Sequence, residues 1–139
     1  MIYQTEINLQ TSGHDDIHNI TDEVAEAVRR SKIHRGIVNV FNVGSTGSIA
    51  TMEYEPGLAR DVPETLDRLI PPGRQYGHEQ AWHDGNGHSH LQATLLGPSM
   101  TVPVVERRLA LGQWQQIVHL EGDIKPRSRT LVVTVNGEA

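Results

Sequence analysis

The sequence predicts an α+β domain of antiparallel strands with a few short helices, and three observations carry that prediction. Residues 3–9 alternate apolar and polar side chains with the period of a half-buried strand. The last third of the chain falls into three strand-like runs separated by turn residues. Between these ends, helical spacing occurs only in short stretches, so strands come in runs and do not alternate one for one with helices as βαβ winding requires. A length of 139 residues suits one domain spanning 1–139.

The elements follow in order. Tyr3, Thr5, Ile7 and Leu9 face one way and Gln4, Glu6 and Asn8 the other, and residues 12–19 (SGHDDIHN) read as a loop. Thr21 fits a helix N-cap with Asp22 and Glu23 behind it. Val24, Ala25 and Val28 share a face, and Arg29, Arg30 and Lys32 suit the C-terminal end. Gly36 opens a strand over 37–43, GSTG at 44–47 signals a turn, and residues 48–54 form the next strand. Leu58, Val62, Leu66, Leu69 and Ile70 have helical spacing. Pro63 cannot donate to a continuing helix, which predicts two short pieces within 58–70. Residues 71–88 read as a long polar loop, a kind of connection that is uncommon in compact domains and often functional. A short helix over 89–96 ends at Gly97, and strands over 100–106, 114–121 and 129–135 complete the chain.

Composition removes several function classes. Twelve bases against 17 acids give a formal net charge of −5, which disfavours nucleic-acid and membrane partners that need a basic field. The absence of cysteine excludes disulfides, thiolate metal sites and a thiol nucleophile. The opening MIYQTEINLQ lacks the pattern of a signal peptide and no apolar run exceeds three residues, so a cytoplasmic location is expected. With 4% aromatics the core must come from Val, Ile, Leu and Ala. The eight histidines outnumber the three Tyr, two Trp and one Phe together.

Four of those histidines, His78, His83, His88 and His90, lie in one short stretch, H-E-Q-A-W-H-D-G-N-G-H-S-H. Neutral imidazole is the commonest protein ligand for zinc and related ions, and one loop can supply several ligands. His88 and His90 differ by two, so an extended segment would point them the same way. Glu79 and Asp84 suit a fourth ligand or acceptors that fix the imidazole tautomers. The other reading of the stretch is a polar surface loop rich in histidine. His14, His18, His34 and His119 are isolated, and isolated histidines are mostly surface or satisfied core residues.

Other polar groups are weaker signals. The GSTGS stretch at 44–48 exposes amides and hydroxyls that suit an anion, though it lacks the lysine and following helix of a P-loop. Glu53 and Glu55 share a strand face and, with Asp61, suit a cation or a general base. Lys125, Arg127 and Arg129 make a basic patch in an acidic chain, suited to a phosphorylated substrate. A Ser89–His90–Asp84 triad lacks the glycines of a nucleophile elbow and is set aside.

Together, GSTGSIATMEYEPGL, D-x-x-x-x-L-x-x-L-I-P, DGNGHSHLQATLLGPSMTVPV, LALGQWQQIVHLEGD and RSRTLVVTVNGE resemble the YjbQ-like family over nearly the whole chain and in the same order. Members of that family are described as secondary thiamine-phosphate synthase enzymes or left uncharacterised. The resemblance implies an antiparallel sheet sandwich assembled as a homotrimer, with a polar cleft near the subunit contacts. It implies a divalent ion, zinc before magnesium, on His78, His88 and His90. Glu55 and His90 of the matching motifs, with Asp84 beside them in sequence reading, are the expected catalytic residues, and a small phosphorylated substrate is expected on the matching Ser45, Thr46 and Gln115 together with Arg127 and Arg129 of the basic patch. Many members begin the small-residue motif with His-Thr, where this chain has Gly44, and carry GTW where this chain has Gln113 in GQW. The expected reaction joins a pyrimidine diphosphate to a thiazole phosphate, releasing pyrophosphate, as a main or a side activity. A metal-dependent hydrolase with Glu55 or Glu79 as base, and a non-catalytic trimeric metal-binding module, are the alternatives.

Overall fold

The alternation at the N-terminus becomes β1 (Ile2–Gln10), which buries Ile7 and half-buries Tyr3 and Leu9. In the computed structural model, which describes residues 1–139, the chain continues through β2 (Ile17–Asn19), α1 (Thr21–Ser31), β3 (Arg35–Val43) and β4 (Gly47–Glu53). Then come α2 (Pro56–Leu69), α3 (Gly77–Trp82) and α4 (Gly87–Leu96), followed by β5 (Ser99–Val105), β6 (Arg108–Leu109), β7 (Gln115–Glu121) and β8 (Ser128–Glu138). The strands make two antiparallel sheets, ordered β1-β8-β3-β5-β6 and β2-β7-β4.

The α+β sandwich follows from one shared core. Val38, Val40, Leu131 and Val133 come from the larger sheet, Ile49 and Ile117 from the smaller, and Val24, Ala27 and Val28 from α1. These side chains are aliphatic, as the low aromatic content requires. The outer face of the larger sheet stays uncovered, with Ile37, Phe41 and Val43 of β3 and Val105 of β5 exposed. No helix is long and apolar enough to cross a membrane.

Several local expectations need correction. Residues 17–19 are not loop: they pair with Val118–Leu120 as β2, a strand too short and polar to show a period. Thr21 is not the N-cap of α1. Ile20 holds that position without a side-chain bond, while the Thr21 hydroxyl donates to Asn19 Oδ1 at 2.7 Å and accepts from the Ile117 amide at 2.8 Å. Pro63 does not divide α2, which runs unbroken because Pro63 is its one buried residue and packing there offsets a single lost backbone bond. The expected long loop over 71–88 contains α3 and the first two residues of α4. Tyr76 and Glu79 close α3 with a capping box, a local device that apolar periodicity does not reveal.

Candidate functional site

The start of α4 decides which histidines meet. Residues two apart on an α-helix lie about 200° apart around its axis, so His88 and His90 point to different sides instead of sharing one. His90 stands against His78 of α3, with ring centroids 4.3 Å apart and planes inclined by 45°. His88 stands against His14 from the N-terminal loop, at 5.4 Å and 81°. The three histidines implied as one ligand set are therefore divided between two places, and the structure offers no common point for an ion among them.

Asp84 flanks the His78–His90 pair, and Glu79 joins the two helices that carry it. Glu79 is buried and accepts from the amides of Tyr76 and Gly87, which ties α3 to the first residue of α4. Gly87 leaves room for that bond, since a Cβ there would lie 2.5 Å from the Glu79 carboxylate. Glu79 is thus engaged with backbone and is not a free ligand. Asp84 Oδ1 lies 3.2 Å from His78 Nε2. The Asn86 amide, with its nitrogen turned toward Asp84, lies 2.7 Å from Asp84 Oδ1 and 2.8 Å from His78 Nε2. Burial and the neighbouring His78 push the pKa of His90 below the usual histidine value, which favours neutral imidazole.

His90 opens onto a cleft whose walls carry no apolar side chain: the turn Gly44–Thr46, Asn86 and His90, and Asp123 with Arg127, Ser128 and Arg129. Asn86 and His90 are four apart and so lie on one side of α4 at its N-terminus. In the turn, none of the amides of residues 44–46 donates to a backbone carbonyl. The turn is wired from behind. Asn42 donates to the carbonyls of Gly44 and Gly47 at 3.2 and 3.3 Å and accepts from His119 Nε2 at 3.0 Å. His119 is fully buried with Nδ1 unpartnered, and burial lowers its pKa to about 4.

The two arginines are differently engaged. Arg129 binds Glu121 through both Nε and Nη2 and also donates to Thr46 Oγ1 at 2.8 Å. Thr46 in turn donates to Asp123 Oδ2 at 3.0 Å. Arg127 reaches the same Asp123 oxygen through Nε at 2.9 Å and Nη2 at 2.8 Å. Burial alone would raise the carboxyl pKa values of Glu121 and Asp123, and these hydrogen bonds and charges outweigh it, keeping both low and ionised. The cleft therefore holds two cations and the Asp123 carboxylate, with Glu121 behind Arg129, and Nη1 of each guanidinium has no hydrogen-bond partner in the protein. Gly44 is part of this fit: its φ is +147° and a Cβ would lie 2.8 Å from Arg129 Nη1. A histidine at this position would displace the guanidinium.

Of the residues singled out in the sequence, Ser45, Thr46, His90, Arg127 and Arg129 come together, with His78 and Asp84 behind His90. Glu55 does not join them: its carboxylate caps α2, accepting from the amides of Gly57 and Leu58. Gln115 donates to Thr51 Oγ1 at 3.0 Å and accepts from the Gly112 amide, at the opposite end of β7 from Glu121. Sequence reasoning missed Asn42, Glu121 and Asp123. The two acids, two apart just before the basic patch, were the available signal that the arginines are paired.

Comparisons with known proteins agree with this architecture. A family model described as UPF0047 protein YjbQ-like matches residues 5–138. A UPF0047 protein of Methanothermobacter thermautotrophicus is 39% identical over 137 residues, covering 99% of this chain and 94% of that protein. One from Archaeoglobus fulgidus is 40% identical over 128 residues, covering 92% and 97%. The crystal structure of a YbjQ-like protein of unknown function from Sulfolobus solfataricus P2 is similar at a TM-score of 0.93, with 33% identity and 99% of each chain covered. A hypothetical protein from Aeropyrum pernix K1 gives 0.90, with 32% identity and 98% and 99% covered.

Proposed function

The chain belongs to the UPF0047 YjbQ-like family, and from that premise and the cleft we propose that it binds a small phosphorylated substrate between the 44–46 turn and α4. The observation that carries this is the joining of unpaired turn amides, a helix N-terminus and two guanidiniums in one wholly polar cleft. Backbone amides and a helix N-terminus favour an anion together, and charge-assisted bonds from arginine strengthen it. Thr46 and Arg129 act mainly as positioning residues, while Ser45, Arg127 and His90 face the ligand.

The reaction proposed is of the thiamine-phosphate synthase kind. The bond between the pyrimidine methylene carbon and its diphosphate oxygen breaks, its electron pair leaves with pyrophosphate, and the thiazole nitrogen bonds to that carbon. Charge gathers on the departing diphosphate, which is where the Arg127 guanidinium and the turn amides stabilise the transition state. A hydrolase working through a histidine-bound ion has less support, because His78, His88 and His90 do not converge.

Incubation with both precursors tests the proposal, with thiamine phosphate and pyrophosphate as products. Arg127→Ala is expected to weaken pyrophosphate binding by about 10-fold or more, since a hydrogen bond to a charged group contributes ~1.5–3 kcal/mol. Absence of product, together with no pyrophosphate binding at millimolar concentration, sinks it.

We also propose that the uncovered face of the larger sheet joins copies of the chain in a homotrimer. Phe41 is 42% exposed and Val43 53%, on a face with no helix over it. Light scattering should give three chains per particle, and Phe41→Asp should give one. A native chain that elutes as a monomer rejects the assembly.

A further inference from the structure

We propose that His14, Asp15 and Asp67 form a binding site for a first-row divalent metal ion of the zinc type, on the side of α4 away from the polar cleft. His14 Nδ1 lies 3.3 Å from the Gly122 carbonyl, the kind of outer acceptor that the second nitrogen of a metal-ligating histidine uses. On the other side of the ring, Nε2 faces Asp67 Oδ1 at 2.7 Å and Asp15 Oδ1 at 3.3 Å. The three ligand atoms lie within 4.8 Å of one another, and no other three histidines or carboxylates of the chain do so. An ion at about 2.0–2.2 Å from each of these N and O atoms fits such separations after small side-chain adjustments.

Surrounding groups support a site and not a chance surface cluster. Gln92 Nε2 donates to Asp67 Oδ1 at 2.9 Å and to the Ile70 carbonyl at 3.0 Å, which orients the carboxylate as outer partners of metal ligands do. His88 is 2% exposed, its Nε2 has no hydrogen-bond partner, and its ring stands against His14. His88 Nε2 is therefore an unused nitrogen on the buried ring packed against His14. His14 and Asp15 also border a cavity of about 20 Å³, room for roughly one water-sized occupant. One imidazole and two carboxylates suit zinc and its neighbours and not magnesium, which favours oxygen alone. Three protein ligands leave one coordination position open.

The test is calorimetric titration of the full chain with Zn²⁺ and, separately, Mg²⁺ in a non-chelating buffer. One Zn²⁺ per chain is expected, with a melting temperature that rises with Zn²⁺ concentration, and no comparable Mg²⁺ binding. His14→Gln should weaken Zn²⁺ at least 10-fold. Asp15→Asn should do the same and, with that side chain 58% exposed, keep the fold. His90→Gln should leave it unchanged. Failure of the native chain to bind Zn²⁺ below millimolar concentration overturns the proposal. Binding retained in both the His14 and Asp15 variants, or abolished by His90→Gln, overturns it equally.

Discussion

Two histidine pairs flank α4, and they differ in what closes them. His90–His78 leans on a short helix and the 83–86 turn, and its carboxylate partner Asp84 is more than a third exposed. His88–His14 leans on the sheet end at Gly122 and on α2 through Asp67, with Gln92 locking the carboxylate. Each pair has a carboxylate, and both come from one first turn of one helix. Residue type is thus the same on both sides, and enclosure separates an open pair suited to proton or anion chemistry from a closed one suited to an ion. The segment 121–123 is the wall between them: Asp123 faces the cleft, while Glu121, which holds Arg129, and the Gly122 carbonyl lie on the His14 side.

Removing that wall should affect both pairs and gives the largest expected effect. Arg129→Met leaves Glu121, whose side chain is fully buried, without its cation. Breaking a buried pair from one side costs about 3–5 kcal/mol. Urea unfolding should show that loss, and histidine NMR signals from both pairs should shift in the folded fraction. A loss below about 1 kcal/mol, or shifts confined to one pair, separates the two sites.

Acid provides the next test, with His119 as a buried histidine outside both pairs. Its pKa falls from 6.5 unfolded to about 4 folded, so the fold favours the neutral ring. This contribution is complete above pH 6.5 and is lost as pH falls toward 4. Between pH 7 and 4.5 the loss is about 2–3 kcal/mol. His88 and His90 are shifted the same way by burial and add to it. His119→Gln, which keeps a donor for Asn42, should flatten the profile of urea midpoints across that range. An unchanged slope would assign the acid sensitivity to the pairs instead.

Gly87→Ala should act on one pair alone. Alanine in a helix is favoured over glycine by about 1 kcal/mol, but the new Cβ meets the Glu79 carboxylate at 2.5 Å. Overpacking of this kind costs about 1–3 kcal/mol, so a small net loss is expected. His78 and His90 signals should move while His14 keeps its own. Movement of His14 would mean that the two sides of α4 are coupled.

The contrast between the pairs also marks what the sequence could reveal. Strands such as 3–9 and 37–43 declare themselves because burial repeats every second residue. The cleft was readable where its residues are adjacent in sequence, as in GST at 44–46 and Arg127 with Arg129. The metal-like cluster was not, because His14 and Asp67 are 53 residues apart and each is ordinary alone. The grouping of His78, His88 and His90 was misjudged for one reason: a two-residue spacing unites side chains on a strand and separates them on a helix. Glu79 looked like a ligand and is a cap, since the same carboxylate chemistry serves metals and helix termini.

The smallest stability effect should come from Arg127, and it separates folding from binding. Arg127 and Arg129 both pair with acids of the wall, yet the Arg127 side chain is 43% exposed against 6% for Arg129. Asp123 also accepts from Thr46 and from the Lys125 amide, so it keeps partners when Arg127 is removed. Arg127→Ala should therefore cost only about 0.5–1 kcal/mol of stability, near the range of exposed pairs. Its effect on pyrophosphate affinity should exceed that. Differential scanning calorimetry and titration of the same sample compare the two directly. Equal losses in both would make Arg127 a structural partner of Asp123 and leave the turn amides and α4 as the anion site.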